Sequence, residues 1–396
     1  MKIRKYSLVI LVVVLIIGLG IYWRGQKTHQ VSPLQNIITK EIAQLKGDDE
    51  AVDYKVESFA ENLFVPWEIV FTSERRILLT ERDGKIRAIE NGILRPDPLI
   101  SFSEVSSKDE EGLMGLALDP HYSQNKLLYA CLAYGNQPDM FDKVVVLEDK
   151  NSFIELKGAI LDRIPAAEFH AGCRLGFGPD EKLYITTGDA TKKELAQDLN
   201  SLAGKILRIN TDGTIPTDNP FPNSPVYSLG HRNSQGIAWQ PGSGLLVATE
   251  HGPTVFDGPP GGDEINIIKP GLNYGWPLVS HEKNREGLIA PKIIFTPAVA
   301  PAAAMFYSGT VFPQFKNNFL FGGLKGEGVF HVVFSAENPE SIIEYERLPD
   351  INVGRVRAIT EGPDGLIYFS TSNKDGRGSA KQGDDRIYRL VPKTSQ

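Results

Sequence analysis

The chain has 396 residues, of which 41% are hydrophobic, and this is enough to bury a large core. Its net charge of -7 argues against a nucleic-acid partner, because such partners bind basic surfaces. Two cysteines are too few for a disulfide scaffold or a cysteine-rich zinc site, whereas 38 glycines and 26 prolines suit many short strands joined by turns.

Residues 1–25 are predicted to form a signal-anchor that crosses the membrane as a helix. Basic residues precede an apolar run from Tyr6 to Trp23, which is long enough to span a bilayer. No small-residue cleavage site follows the run, so we favour an uncleaved anchor over a cleaved signal peptide. The basic residues are expected in the cytoplasm and the main body outside it, on the periplasmic or extracellular face. Residues 26–50 are predicted to be a linker.

Residues 51–393 carry a repeated unit, in which a turn rich in Pro, Gly, Asp or Asn precedes a short β-branched or aromatic run. Six copies have central strands that begin near Ile77, Leu127, Leu183, Leu245, Phe319 and Ile367. Copies at this spacing are typical of propeller blades with inserted loops. We predict an all-β, six-bladed β-propeller rather than a β-sandwich, because the copies are spread evenly. The tail GDDRIYRL is predicted to complete the blade that the start of the domain opens.

The two cysteines, Cys131 and Cys173, lie in apolar segments that resemble strands. Buried cysteines commonly act as small hydrophobic residues. We therefore expect two buried free thiols, although a fold that brought them together would allow a disulfide.

Two polar segments each precede a predicted strand. FHAGCRLGFGPD places His170 beside small residues that let a planar ligand approach, although a single histidine is more often structural than catalytic. YSLGHRNSQGIAW places Arg232 and Asn233 between Gly230 and Gly236. Such a turn could hold an arginine in a salt bridge, or it could present both side chains to a ligand. Propellers bind ligands over the central channel, where the loops of one face meet.

A third segment, ATEHGPTVFDGPPGGDEINIIKPGLNYGWP, is rich in oxygen donors. Its candidate donors are Glu250, Asp257, Asp263, Glu264 and the carbonyls near Gly252 and Pro253. Carboxylates and carbonyls of this kind suit calcium. The spacing is not that of an EF-hand, so an acidic loop exposed to solvent is an equal alternative.

A fourth group is basic. Lys325 lies in GGLKGEG, and Arg355 and Arg357 lie at alternate positions of GRVRAIT. Alternate residues of a strand share a face, and two like charges side by side need an anion to neutralise them. Pairing with nearby acids such as Glu327 is the alternative.

Together these motifs resemble the soluble glucose/sorbosone dehydrogenase family, which includes the aldose sugar dehydrogenases. Ten motifs occur in the family's order, from VPWEIVF and TERDGKIRAI, through HAGCRLGFGPD, GHRNSQGIAW and TEHGP, to GGLKGEG and GRVRAITEGPDG. The resemblance implies oxidation of aldose sugars to lactones by hydride transfer to pyrroloquinoline quinone (PQQ), with calcium as a second cofactor. The implied partners are a small sugar and an electron acceptor of the respiratory chain or a soluble carrier.

The resemblance also implies roles for particular residues. His170 matches the general base that takes the proton of the sugar's anomeric hydroxyl, and Arg232 matches the residue that stabilises charge on the quinone. The implied cofactor-binding residues are Asn233, Glu110, Lys325, Arg355 and Arg357. The implied calcium residues are Gly252 and Pro253, through their carbonyls, and a second calcium region at Asp263, Glu264 and Tyr274.

Some positions depart from the family's pattern. Phe169 stands where many members have an acid that orients the histidine, Ala171 replaces the usual asparagine, and Ala298 replaces a threonine that contacts the cofactor. Glu110 replaces a glutamine. Loss of the orienting carboxylate is expected to weaken the base. Phe169, Ala171 and Ala298 motivate an alternative function, a redox-inactive propeller that binds a glycan or a protein. A calcium-dependent lactonase is a third reading, which would leave the paired arginines without an obvious task.

Overall fold

The computed structural model of the protein describes residues 51–393, and the strands in this range form six antiparallel sheets. Blade 1 contains β2 (Pro66–Ser73), β3 (Arg76–Glu81), β4 (Lys85–Glu90), β5 (Ile93–Leu94) and β6 (Ile100–Ser101). Blade 2 contains β7 (Leu113–Leu118), β8 (Leu127–Asn136), β9 (Asp139–Asp149) and β10 (Ile154–Pro165). Blade 3 contains β11 (Leu175–Phe177), β12 (Leu183–Thr186), β13 (Lys205–Ile209) and β14 (Val226–Leu229).

The remaining blades follow the same plan. Blade 4 contains β15 (Ser234–Trp239), β16 (Leu246–Glu250), β17 (Asp263–Ile268) and β18 (Ile293–Phe295). Blade 5 contains β19 (Pro301–Phe306), β20 (Phe319–Gly323), β21 (Gly328–Phe334) and β22 (Ile342–Arg347). Blade 6 contains β23 (Val356–Glu361), β24 (Ile367–Thr371), β25 (Ile387–Pro392) and β1 (Tyr54–Ala60). The predicted all-β, six-bladed propeller is confirmed.

The ring is closed by β1, the first strand of the domain. It pairs antiparallel with β25, so that Val56 lies opposite Leu390 and Tyr54 opposite Pro392. The predicted closure by the tail is therefore confirmed. The six predicted central strands are the second strands of the blades, and each begins at or within one residue of its expected position.

The core is divided among the contacts between blades, and one hydrophobic cluster lies at each of the six contacts. Leu78 packs in the same cluster as Leu113 between blades 1 and 2, and Phe321 lies with Ile265 between blades 4 and 5. Each blade therefore buries both faces of its sheet against its neighbours. This explains why apolar residues occur on both faces of the strands.

The two cysteines form a disulfide between Cys131 in β8 and Cys173 just before β11, with their Cα atoms 6.3 Å apart. The expectation of two free thiols is wrong. Both residues are buried, as expected, but they lie in the same cluster between blades 2 and 3. The sequence could not show this, because the two strand segments become neighbours only when the blades pack.

Within residues 51–393, no helix is long and apolar enough to span a bilayer. The helical segments in this range are a single turn, Tyr122–Asn125, and two 3₁₀ turns, Lys193–Gln197 and Pro313–Phe315. The predicted N-terminal transmembrane helix (1–25) and linker (26–50) lie outside the described residues.

Candidate active site

The predicted site residues lie at one end of the propeller, and Tyr274, from the connection between β17 and β18, lines the same cleft as Gly252 and Pro253. Consecutive strands of each blade are antiparallel, so the start of the first strand and the connection between the second and third strands share an end. The residues lie as follows: Glu110 before β7, His170 before β11, Arg232 and Asn233 before β15, Gly252 and Pro253 between β16 and β17, Asp263 and Glu264 at the start of β17, Lys325 between β20 and β21, Arg355 before β23, and Arg357 in β23.

His170 is held by an acid from the connection between β12 and β13 of the same blade. Its Nδ1 lies 2.7 Å from Oδ1 of Asp189, and Oδ2 of Asp189 accepts a hydrogen bond from Nε1 of Trp276 at 2.8 Å. Because a carboxylate only accepts hydrogen bonds, Nδ1 carries the proton and Nε2 keeps a free lone pair. We call His170, Asp189 and Trp276 the histidine group.

The backbone around His170 requires a glycine as its neighbour. His170 has a φ of 57°, a left-handed conformation that is strained for a residue with a side chain. Its carbonyl packs directly on Gly188, where a Cβ would lie 1.8 Å from the carbonyl oxygen. Because Gly188 has no side chain, the segment that carries His170 can pack against the segment that carries Asp189.

The histidine group corrects one expectation from the sequence. Phe169 was expected to leave the base without an orienting carboxylate, but Asp189 supplies one from a different loop. The side chain of Phe169 is partly exposed, and the guanidinium carbon of Arg377 lies 5.4 Å from the centre of its ring. Asp189 was missed because it lies 19 residues after His170; its place directly after a predicted strand was the available signal.

Glu110 and Asn233 position the backbone of the segment that carries His170. Oε2 of Glu110 accepts from the backbone N–H of His170 at 3.0 Å and from Nδ2 of Asn233 at 3.5 Å. Its Oε1 accepts from Arg377 at 3.1 Å. Burial alone would raise the pKa of Glu110, but the nearby His251, Arg377 and His170 outweigh burial and lower it. Glu110 is therefore an ionised carboxylate that positions the backbone of His170.

Arg232 is fixed on one side and has an unused donor on the other. Its Nε pairs with Oδ2 of Asp257 at 2.7 Å, and its guanidinium carbon lies 5.5 Å from the ring centre of Trp276. Burial would raise the pKa of Asp257, but Arg232 lowers it. Nη2 of Arg232 is buried and has no hydrogen-bond partner in residues 51–393. A buried N–H without a partner fits a ligand that carries an acceptor oxygen.

Arg355 and Arg357 lie on one side of their strand, as their alternation predicted, and both approach Asp375. Nε of Arg355 pairs with Oδ2 of Asp375 at 2.8 Å, and Nη2 of Arg357 lies 3.9 Å from the same oxygen. Asp375 takes the place that the sequence suggested for Glu327, which is exposed. Burial lowers the pKa of Arg357 to about 9, an effect that Asp375 opposes and that Arg355 and Arg82 reinforce. We call Arg82, Arg355 and Arg357 the arginine cluster.

Lys325 lies next to this cluster in the chain fold, because the carbonyl of the preceding Leu324 accepts from Nη1 of Arg355 at 3.1 Å, and its role as a cofactor cation stays a prediction. It lies in the turn between β20 and β21, its side chain is exposed, and its backbone N–H donates to the carbonyl of Val299 at 3.0 Å. No ion pair involves Lys325 in the described part of the chain. The structure adds Arg82, a buried cation in the turn between β3 and β4 whose charge contributes to lowering the pKa of Arg357.

The predicted calcium residues do not form a cluster of ligands through their side chains. Oδ1 of Asp263 accepts from the N–H of Gly252 at 2.8 Å, and Oδ2 accepts from the N–H groups of Val299 and Ala300 at 2.7 Å. The hydroxyl of Tyr274 is also used, since it donates to a backbone carbonyl at 2.6 Å. Between residues 51 and 393, no group of three or more His, Cys, Asp or Glu side chains is placed to hold a metal.

The donors nearby nevertheless suit a hard cation. A small cleft is lined in part by Glu250, Gly252, Pro253 and Glu264. Burial, followed by the neighbouring carboxylate of Glu250, raises the pKa of Glu264 to about 8. Crowded carboxylates beside backbone carbonyls are a set of oxygen donors that fits calcium, whose charge would relieve the repulsion. The residues present therefore fit the ion that the resemblance implies.

Comparisons with known proteins identify the family. The family model described as Glucose / Sorbosone dehydrogenase matches residues 63–388. The aldose sugar dehydrogenase YliI of Escherichia coli K12 is 30% identical over 357 residues, which cover 81% of this chain and 91% of that protein.

Two solved structures share the fold over their whole length. A putative glucose dehydrogenase of Thermus thermophilus is 37% identical, with a TM-score of 0.79, and the match covers 86% of this chain and 100% of that one. The PQQ-bound aldose sugar dehydrogenase of Streptomyces coelicolor is 31% identical, with a TM-score of 0.74, and the match covers 87% of this chain and 100% of that one.

Proposed function

The chain belongs to the glucose/sorbosone dehydrogenase family, and from this premise we propose that it oxidises aldose sugars to lactones with PQQ and calcium as cofactors. The family supports an oxidoreductase that acts on sugars. The observation that carries the finer proposal is that His170 is paired with Asp189 in a site whose buried arginines have nitrogen atoms without hydrogen-bond partners.

The histidine group supplies the base. Asp189 accepts the Nδ1 proton of His170 and leaves Nε2 free to take a proton from a sugar hydroxyl. When Nε2 becomes protonated, Asp189 stabilises the imidazolium that forms. Trp276 and the backbone of Thr191 donate to Asp189, so the carboxylate keeps its orientation during the transfer. The anomeric hydroxyl loses its proton to His170, and the anomeric carbon loses its hydrogen in the form of a hydride. The hemiacetal carbon thereby becomes a lactone carbonyl.

The arginines supply the binding site for an anionic cofactor. PQQ carries three carboxylates, and when bound it would accept the hydride, with calcium acting as a Lewis acid. Arg355 and Arg357 would hold carboxylates through charge-assisted hydrogen bonds. The free Nη2 of Arg232 would donate to an oxygen that gains negative charge. Gly252 and Pro253, with Glu250 and Glu264 nearby, would hold the calcium ion.

The second candidate function, a redox-inactive propeller that binds a glycan or a protein, loses one of its three motives. Phe169 does not deprive His170 of an orienting acid, because Asp189 provides it. Ala171 and Ala298 remain as differences from the family's pattern. This candidate predicts that replacement of His170 leaves the protein's biological effect unchanged.

An extracytoplasmic location is part of the proposal. The apolar run in residues 1–25 motivates a membrane anchor, and the Cys131–Cys173 disulfide supports an oxidising compartment, since such bonds are rare in the cytosol. The electron acceptor would then be a component of the respiratory chain or a soluble carrier on the same side of the membrane.

The test is cofactor-dependent reduction of a dye by the purified full-length protein, with PQQ, calcium and a panel of aldoses. We expect turnover, and we expect His170→Gln to lower kcat by about 10²–10⁴-fold, the contribution typical of a general base. His121→Gln is the matched control, because that histidine is exposed and pairs with Glu181. Absence of turnover with every aldose would reject the proposal.

A further inference from the structure

Arg82 is buried without a partner. It lies in the turn between β3 and β4, at the same end of the propeller as His170, and only 5% of its surface is exposed. Its Nε has no hydrogen-bond partner, and no side-chain hydrogen bond or ion pair within 4.0 Å is found for Arg82 anywhere in the described range. Because a guanidinium is always charged in proteins, this is a buried positive charge without a direct counter-ion.

The fold, rather than a charge partner, holds Arg82 in place. Its backbone N–H donates to the carbonyl of Val65 at 3.3 Å, and its carbonyl accepts from Leu113 at 3.0 Å. The stem of the side chain packs against Gly112, where a Cβ would lie 2.4 Å from Cγ of Arg82. Contacts between blades 1 and 2 therefore present the guanidinium to the site.

The acids nearest to Arg82 are engaged elsewhere. Oδ2 of Asp375 is bound by Arg355 and by Ser372. The carboxylate of Glu111 accepts from Ser106 and from the N–H groups of residues 108 and 109. Burial lowers the pKa of Arg82, with Asp375 and Glu111 opposing the effect. Asp375 and Glu111 thus attract the positive charge of Arg82 but accept no hydrogen bond from it.

Lys325, Arg355 and Arg357 are the cations that the sequence predicts for the cofactor's carboxylates, and Arg82 is a further buried cation at the same end of the propeller. Arg82 lies close enough to Arg357 to lower the pKa of that residue, so it belongs to the same group of charges. We propose that Arg82 is a carboxylate-binding residue of this site and that its ligand is a carboxylate of the quinone cofactor. This rests on the proposed function. The guanidinium offers planar, paired donors that suit a carboxylate.

The experiment measures PQQ binding directly, without turnover. Full-length apoprotein is titrated with PQQ in the presence of calcium and the absence of sugar, and binding is followed by quenching of tryptophan fluorescence. We expect Arg82→Met to raise Kd by about 10- to 100-fold, as for loss of a hydrogen bond to a charged group. Arg82→Lys should raise Kd less, because it keeps the charge but not the paired donors. Arg75→Gln is the control, an exposed arginine at the other end of the same hairpin, and its Kd should be unchanged.

A second measurement separates binding from folding. Replacement of an unpaired buried charge by an apolar side chain of similar size should not destabilise the apoprotein. We therefore expect Arg82→Met apoprotein to unfold at a temperature no lower than the wild type. A lower unfolding temperature, or failure to fold, would show that Arg82 serves the fold and would overturn the inference.

The outcomes distinguish this inference from the proposed function. If the wild type does not bind PQQ, the proposed function fails, and this inference fails with it. If the wild type binds and Arg82→Met binds with the same Kd, only the inference fails. Arg82→Met could also leave the PQQ Kd unchanged and lower the turnover of a uronic acid but not that of a neutral aldose. That result would assign Arg82 to a substrate carboxylate and would likewise overturn the inference.

Discussion

The histidine group and the arginine cluster lie at the same end of the propeller, but their charges are balanced in different ways. In the histidine group, Asp189 lies between His170 and Trp276, and each of its oxygens has a partner from the chain. In the arginine cluster, Arg355 and Arg357 share the single carboxylate of Asp375, and Arg82 has no direct partner. The comparison shows that His170 is oriented by the protein itself, whereas the arginine cluster carries more positive charge than Asp375 neutralises.

The largest expected effect tests whether Asp189 orients the base. Asp189→Asn keeps the shape of the side chain but removes the charge that holds the Nδ1 proton, so His170 can adopt the wrong tautomer. We expect kcat to fall by about 10²–10⁴-fold, with PQQ affinity unchanged, because the arginine cluster is intact. Steady-state kinetics and the fluorescence titration measure the two quantities. A fall in PQQ affinity equal to that in kcat would show that the two groups are not independent.

The disulfide gives the next effect, and it concerns stability. Cys131→Ala combined with Cys173→Ala removes a link that spans 42 residues and joins blades 2 and 3. We expect the free energy of unfolding to fall by about 2–4 kcal/mol, as is typical for loss of a native disulfide. Denaturant unfolding measures it.

Turnover of the double variant at a temperature where it is folded should remain close to wild type, because Asp189 still orients His170. A loss of turnover as large as that of Asp189→Asn would instead show that the disulfide positions the histidine.

The smallest expected effect concerns Trp276. Trp276→Phe keeps an aromatic ring beside Arg232 but removes the Nε1 donor to Asp189. A single hydrogen bond contributes about 1 kcal/mol, so we expect kcat to fall by about fivefold. The pH dependence of kcat/KM should shift as well, because the carboxylate that stabilises the imidazolium loses one donor. An unchanged pH profile would assign Trp276 to packing alone.

The strands were predictable because their signals are local. Ile77, Leu183 and Ile367 each follow a turn and begin an alternating run, and each lies in the second strand of a blade. Closure by the tail was predictable for the same reason, since residues 387–392 have the pattern of a strand with no later partner in the chain. The two-residue period of a strand predicts that Arg355 and Arg357 share a face, and both approach the same carboxylate of Asp375.

The partners of the site residues were not predictable. Asp189 reaches His170, Asp375 reaches Arg355, and Cys131 reaches Cys173 from different strands or connections. The carbonyl of Leu324, the residue before Lys325, accepts from Nη1 of Arg355, a contact between blades 5 and 6 that the motif alone does not reveal. These outcomes depend on which loop ends meet after the blades pack.

By itself, the sequence determined the six-bladed ring, its closure and the loops that carry polar residues, because alternation and turn chemistry act between residues close in the chain. Only the tertiary structure decided which acid orients the base, which cations are buried and how the cysteines pair. Those contacts join residues far apart in sequence, and the electrostatic field at each one is set by packing between blades rather than by local pattern.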